Sequence, residues 1–203
     1  MLQSGPPPTI TRVSLAFTMP ITPMKPTTAE VHACVARFSE LQRCETGLPD
    51  MQLPECKRAF LNVLGFDQPK GDGQFSPFGD RAKARVSHLK AGFGVSFIAA
   101  APGKGVLMHT HDTVETFMVM KGTWKLEWEG DQGDEHVLLA PLDFVAFPVG
   151  VQRRFECVEA PQGEVEGLLL GMIGGNAPAA EISPKGIERL IDAGIFQREK
   201  LAA

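Results

Sequence analysis

From Ala84 the chain alternates apolar and polar residues with a period of two, and it keeps that period for about ninety residues. Trp124, Leu126 and Trp128 alternate with Lys125, Glu127 and Glu129, the pattern of a strand with one wet face. Phe93, Val95 and Phe97 alternate with small residues. Gly130 to Asp134 reads as a turn. Val137 to Leu139, Phe144 to Phe147, Arg154 to Val158 and Val165 to Ile173 read as further short strands. Many short strands punctuated by Gly and Pro define a sandwich or closed barrel.

Within this region one stretch concentrates chemistry, Gly103 to Gly122, GKGVLMHTHDTVETFMVMKG. His109 and His111 are two apart, so on a strand both imidazoles share a face. If the next strand folds back antiparallel, Glu115 faces them across the pair. Two neutral imidazoles and a carboxylate form a facial ligand set for a divalent transition metal. Gly103 and Gly122 bracket the stretch, where the backbone must turn or approach closely.

The spacing Gly-x5-His-x-His-x3-Glu-x6-Gly resembles the first conserved box of the cupin family at every defining position. A second stretch, Pro148-x-Gly150-x-x-Arg153, resembles the second box in part. The family's fourth ligand, a histidine, falls on Arg153. Its later Asn falls on Cys157, and its opening Gly on Leu142. The resemblance is to small single-domain cupins. It implies a mainly β fold, the double-stranded β-helix or jelly-roll barrel, over residues 84–175. Residues 1–83 then form an N-terminal arm with a helical and loop extension. Residues 176–203 carry a short helix packed on the barrel.

The resemblance also implies a bound divalent metal, iron or alternatively zinc, manganese or nickel, held by His109, His111 and Glu115. Phe117 and Val119 share the parity of Glu115 and are candidates for the substrate-facing wall. Arginine stays protonated and cannot be a ligand. Arg153 is therefore expected to face the cavity and hold an anionic group of a small-molecule ligand. His88 is a candidate replacement for the missing ligand. If no metal binds, His109, His111 and Glu115 should satisfy one another by hydrogen bonds. Three functions follow: a dioxygenase-type oxidoreductase acting on a small organic acid, a metal-dependent isomerase or lyase, or a non-catalytic binding barrel.

Composition narrows the field. Net charge is −4 with no basic block, which leaves nucleic-acid binding without an electrostatic footprint. No apolar run reaches membrane-spanning length, and no signal peptide is recognisable. Four cysteines without Cys-x-x-Cys spacing suggest reduced thiols and a cytoplasmic protein.

Ahead of the barrel, Val13, Leu15, Phe17 and Met19 form a period-two segment expected to pair across a homodimer. Thr27-x-x-Glu30 reads as a capping box, followed by Val31, Val35, Phe38 and Leu41 at helical spacing. His32 on that helix is expected to be solvated. Residues 54–64 suggest a second short helix, and 65–80 a loop. Ser183 and Pro184 open a C-terminal helix with Ile187, Leu190 and Ile191 on one face.

Overall fold

The computed structural model describes residues 23–65 and 83–198. The expected arm at 13–19 and most of the 65–80 loop lie outside the described residues. The chain divides into two units, residues 1–33 and 34–203.

In the first unit, α1 spans Thr28–Ala33. The capping box forms as expected. The Thr27 amide donates to Glu30 Oε2 at 2.7 Å, and the Glu30 amide donates to Thr27 Oγ1 at 3.3 Å. His32 is exposed. The helix stops at Ala33, short of the expected Leu41, and none of its residues is buried. A short helix without an apolar face against a core has little to propagate it.

The described residues of the second unit build two antiparallel sheets. The strands are β1 Arg43–Cys44, β2 Ala59–Leu64, β3 Phe93–Ala100, β4 His109–His111, β5 Glu115–Lys121 and β6 Thr123–Gly130. They continue as β7 Gly133–Leu139, β8 Phe144–Phe147, β9 Arg153–Glu159, β10 Gly167–Gly174 and β11 Ala180–Ile182. One sheet runs β1-β2-β3-β10-β5-β8 and the other β11-β4-β9-β6-β7. This is the jelly-roll arrangement, mainly β.

Three strands lie outside residues 84–175. β1 and β2 extend one sheet at its edge, and β11 pairs with β4 in the other. The helix expected over 54–64 is instead a single 3-10 turn at Pro54–Cys56 followed by strand β2. The reason is burial on both faces. Phe60 packs into the barrel core, while Ala59 and Leu61 pack on the outer side with Ala99, Phe97 and Leu41. A continuous apolar run covered on both sides satisfies a strand as well as a helix, and β3 supplies its ladder partner.

The core lies between the sheets. Trp124, Leu126, Val119 and Leu169 are completely buried there with Phe117 and Phe155. Each such side chain contributes about 1.5–3 kcal/mol of transfer free energy. The Trp124 indole N–H donates to the Lys121 carbonyl at 3.0 Å, so its polar atom is satisfied. Phe155 meets Phe117 and Trp124 edge-on, with centroids 5.4 and 5.9 Å apart. On the wet face of β6 and β9, Lys125, Glu127, Arg154 and Glu156 form a ladder of ion pairs.

The C-terminal helix α2, Pro184–Asp192, begins as expected. Ser183 Oγ accepts from the Gly186 amide at 3.1 Å, and Leu190 is completely buried against Leu53 and Cys56.

Two turns bear on the boxes. Gly122 has φ +81°, and a Cβ there would collide with the Glu159 carbonyl. Leu142 stands where the second box opens with glycine, and it takes φ +75° with no glycine to relieve it. It is the one non-glycine residue with positive φ among the described residues.

Candidate metal centre

The site sits between the two sheets at one end of the barrel. His109 and His111 lie on β4, and Arg153 is directly opposite His109 on neighbouring β9. Glu115 opens β5, in the other sheet, where it pairs with Phe147 and Ile173. The antiparallel pairing of β4 and β5 that would set Glu115 across from the histidines is not formed, because the two strands lie in different sheets. The connector at 112–114 carries the chain from one sheet to the other, so Glu115 meets the histidines across the barrel interior. Period-two spacing places the imidazoles on one face in either case, and it cannot distinguish a hairpin from a sheet crossing.

Ligand atoms of His109, His111 and Glu115 all lie within 4.8 Å of one another. The ring orientations are fixed from behind. His109 Nδ1 is 2.8 Å from the Leu107 carbonyl, and His111 Nδ1 is 2.7 Å from the Ala179 carbonyl. A carbonyl oxygen can only accept, so each Nδ1 carries the proton. In its neutral form such a ring presents an Nε2 lone pair inward. Burial pushes the His109 pKa down to about 4, so this ring is neutral near pH 7.

His109 Nε2 lies 4.0 Å from Glu115 Oε2, and His111 Nε2 lies 3.6 Å from Glu115 Oε1. Both distances exceed hydrogen-bond length. In the neutral rings, acceptors face acceptors. The mutual hydrogen bonding expected of a metal-free cluster is therefore not formed. Two lone pairs and a carboxylate converging on one point fit a divalent cation, through the nitrogen and oxygen donors that transition metals take.

Arg153 is 1% exposed. Its Nε donates to Glu115 Oε2 at 3.1 Å and its Nη1 to the Val151 carbonyl at 2.9 Å. Nη2 lies 3.0 Å from the same Oε2, within ion-pair distance but without hydrogen-bond alignment, so its protons stay unspent in a buried place. Glu115 is thus shared. Oε2 serves Arg153, and Oε1 faces His111.

Phe117 and Val119 have the expected parity, and both are packed into the core cluster. His88 does not join the site. It is exposed on a bend, with Nε2 3.5 Å from Cys34 Sγ. His136 is exposed on β7.

The groups that aim the ligands are not among the candidate residues of the sequence. Two are the backbone carbonyls of Leu107 and Ala179, which leave no side-chain signature. A third is Asp112, whose Oδ1 accepts from the Ala179 amide at 2.9 Å and so fixes the loop that orients His111. Its position directly after His-x-His was the available signal.

No protein-family model matches the chain, and no curated protein matches it. Solved structures do. An oxalate oxidase is 14% identical, with 84% of this chain and 76% of that chain covered and a TM-score of 0.50. A cupin-2 domain protein from Rhodospirillum rubrum is 12% identical, covering 78% of this chain and 86% of its own, with a TM-score of 0.49. An oxalate oxidase in complex with the substrate analogue glycolate is 19% identical, with 46% of this chain covered and a TM-score of 0.40. This chain spans 47% of the length of that protein. Fold and box together define the class: the chain has the cupin fold. Among the described residues, no helix is long and apolar enough to cross a membrane.

Proposed function

We propose that this protein is a metal-dependent oxidoreductase of the dioxygenase type acting on a small organic acid. His109, His111 and Glu115 hold the metal, and Arg153 holds the acid's carboxylate. The observation that carries the reading is the convergence of two Nε2 lone pairs and one carboxylate, each ring fixed by its Nδ1–H bond to a carbonyl.

Charge explains why the ligand is an acid. A divalent cation, one carboxylate and one guanidinium leave an excess of two positive charges in a buried place. Unpaired buried charge costs several kcal/mol, so an anion belongs there. The open donors of Arg153 Nη2 give that anion a second anchor. The shared fold with an oxalate oxidase supports the same substrate class.

A redox-active metal here, iron or manganese, supplies one-electron chemistry and a Lewis-acidic face for the acid and dioxygen. The chain does the rest. His109 stays neutral, and both rings are fixed in orientation. Glu115 lowers the charge of the centre. Arg153 orients the carboxylate, and Phe117 and Val119 supply an apolar wall that excludes water.

Four free cysteines, three of them buried, fit a reducing compartment such as the cytoplasm. A homodimer completes the reading, on the period-two apolar segment at 13–19.

The test is oxygen uptake by protein loaded with iron(II) or manganese(II), using oxalate and glycolate as probe acids. Metal-dependent uptake that is lost in His111→Ala supports the proposal. Stoichiometric metal binding with no uptake for either acid rejects the oxidase chemistry and leaves an isomerase, lyase or binding barrel.

A further inference from the structure

His109 is aimed by a carbonyl, and that carbonyl belongs to a segment gripped from outside the barrel. Leu107 accepts from His109 Nδ1 through its oxygen and donates through its own amide to Asp50 Oδ2 at 3.3 Å. Asp50 Oδ1 accepts from Arg58 Nη2 at 3.0 Å. Arg58 Nη1 also donates to the Cys56 carbonyl at 2.8 Å and to the Gly105 carbonyl at 3.1 Å. The Gly105 amide donates to the Glu55 carbonyl at 3.0 Å. Asp50 and Arg58 are 3% and 4% exposed.

A buried ion pair is a weak source of stability, because desolvation offsets the attraction. Geometry is what it supplies best, since a charged hydrogen bond tolerates little displacement. Here both charges are spent on backbone groups of Gly105 and Leu107, in the stretch of chain that leads into β4. The Leu107 N–H and C=O belong to successive peptide planes that meet at its Cα, so anchoring the amide leaves only that residue's φ and ψ to swing the carbonyl and narrows the directions it can take. We propose that Asp50 and Arg58 are positioning residues of the metal centre: they hold the Leu107 backbone so that its carbonyl fixes His109 in the Nδ1–H tautomer with Nε2 facing inward. The ligand set therefore depends on residues about fifty positions upstream of it, in the segment 50–58. This inference rests on the metal reading above, and it concerns a different arm of the site from His111, whose ring is fixed by Ala179.

The experiment follows the two rings separately. Full-length protein labelled with nitrogen-15 in histidine reports each ring's tautomer by its nitrogen shifts, without metal. Zinc binding is measured by calorimetry on the same samples. In the unaltered protein both rings are in the Nδ1–H form, and the Leu107 amide is protected from deuterium exchange. In Asp50→Asn, His109 becomes a mixture of tautomers while His111 is unchanged, and zinc affinity falls about tenfold. Asp50→Asn leaves Arg58 buried without its charge partner. The double variant Asp50→Asn/Arg58→Met removes both charges and covers the case in which the single variant does not fold.

Unchanged His109 nitrogen shifts with zinc affinity within about twofold of the unaltered protein would overturn the proposal. Equal loss of order at both rings would also overturn it, since that is general loosening of the fold. Rapid exchange of the Leu107 amide in the unaltered protein would overturn it with no variant needed. If the unaltered protein binds neither zinc nor iron(II) nor manganese(II), the metal reading fails while the tautomer measurement still decides whether Asp50 and Arg58 aim His109.

Discussion

Arg153 and Glu115 form a buried ion pair inside the candidate metal centre, with Nη2 3.0 Å and Nε 3.1 Å from the same oxygen, Oε2. The arginine stands at the position that the second box would give to a fourth ligand. It does more than leave a gap. It sets a fixed positive charge against the one anionic ligand, where any metal must compete with it.

That competition has a sign. Arg153→Gln removes a positive charge beside the cation and returns Oε2 of Glu115 to it. Metal affinity should rise by about tenfold, which is about 1.4 kcal/mol, while affinity for a small acid such as oxalate falls. Arg153→His should tighten metal further by adding an imidazole donor. Zinc calorimetry on each variant, with and without the acid, checks both directions. Weaker metal binding in Arg153→Gln would mean that Arg153 supports the ligands and does not compete for them.

Glu115→Gln should cost twice. It removes the anionic ligand, and it leaves Arg153 buried without its counter-charge. Breaking a buried pair from one side destabilises by about 3–5 kcal/mol. Denaturant unfolding of the metal-free variant should show that loss, and removing Arg153 in the same chain should recover part of it.

The pH dependence follows from His109. Its folded pKa, about 4, lies below the ordinary 6.5 because burial disfavours the charged ring. Between those values the unfolded chain binds more protons than the folded one, so stability rises with pH through the window. The metal-free protein should be fully stabilised by this group above about pH 6.5. It should lose about 3 kcal/mol as pH falls toward 4. His109→Gln should flatten the curve over that range in urea titrations.

Leu142 offers a test in the opposite direction. A leucine at φ +75° carries strain of about 1–2 kcal/mol, and the residue is 74% exposed, so little packing offsets it. Leu142→Gly relieves the strain at some cost in backbone entropy. It should raise stability by about 0.5–1 kcal/mol, read as a higher thermal midpoint.

The strands around the site were largely legible because their burial alternates. Trp124 and Leu126 against Lys125 and Glu127 declare an inner and an outer face, and β8 matches its expected range, Phe144–Phe147. The first box was legible because its ligands lie close in sequence. What escaped was non-local. β2 is buried on both sides and shows no alternation to read. β11 is three residues long and exists because β4 offers it an edge. The crossing of Glu115 to the opposite sheet depends on where a three-residue connector leads. The arginine on β9 was placed opposite the ligands by its box. That its charge would be spent on Glu115 required the distance between the two sheets.

The central claim is that His109, His111 and Glu115 bind a divalent metal, and elemental analysis of protein purified without chelators tests it most directly. The account predicts about one equivalent of transition metal per chain, restored after chelation by adding iron, manganese or zinc, and lost in His111→Ala. Protein that carries no metal as purified, and takes up none on reconstitution, would contradict it.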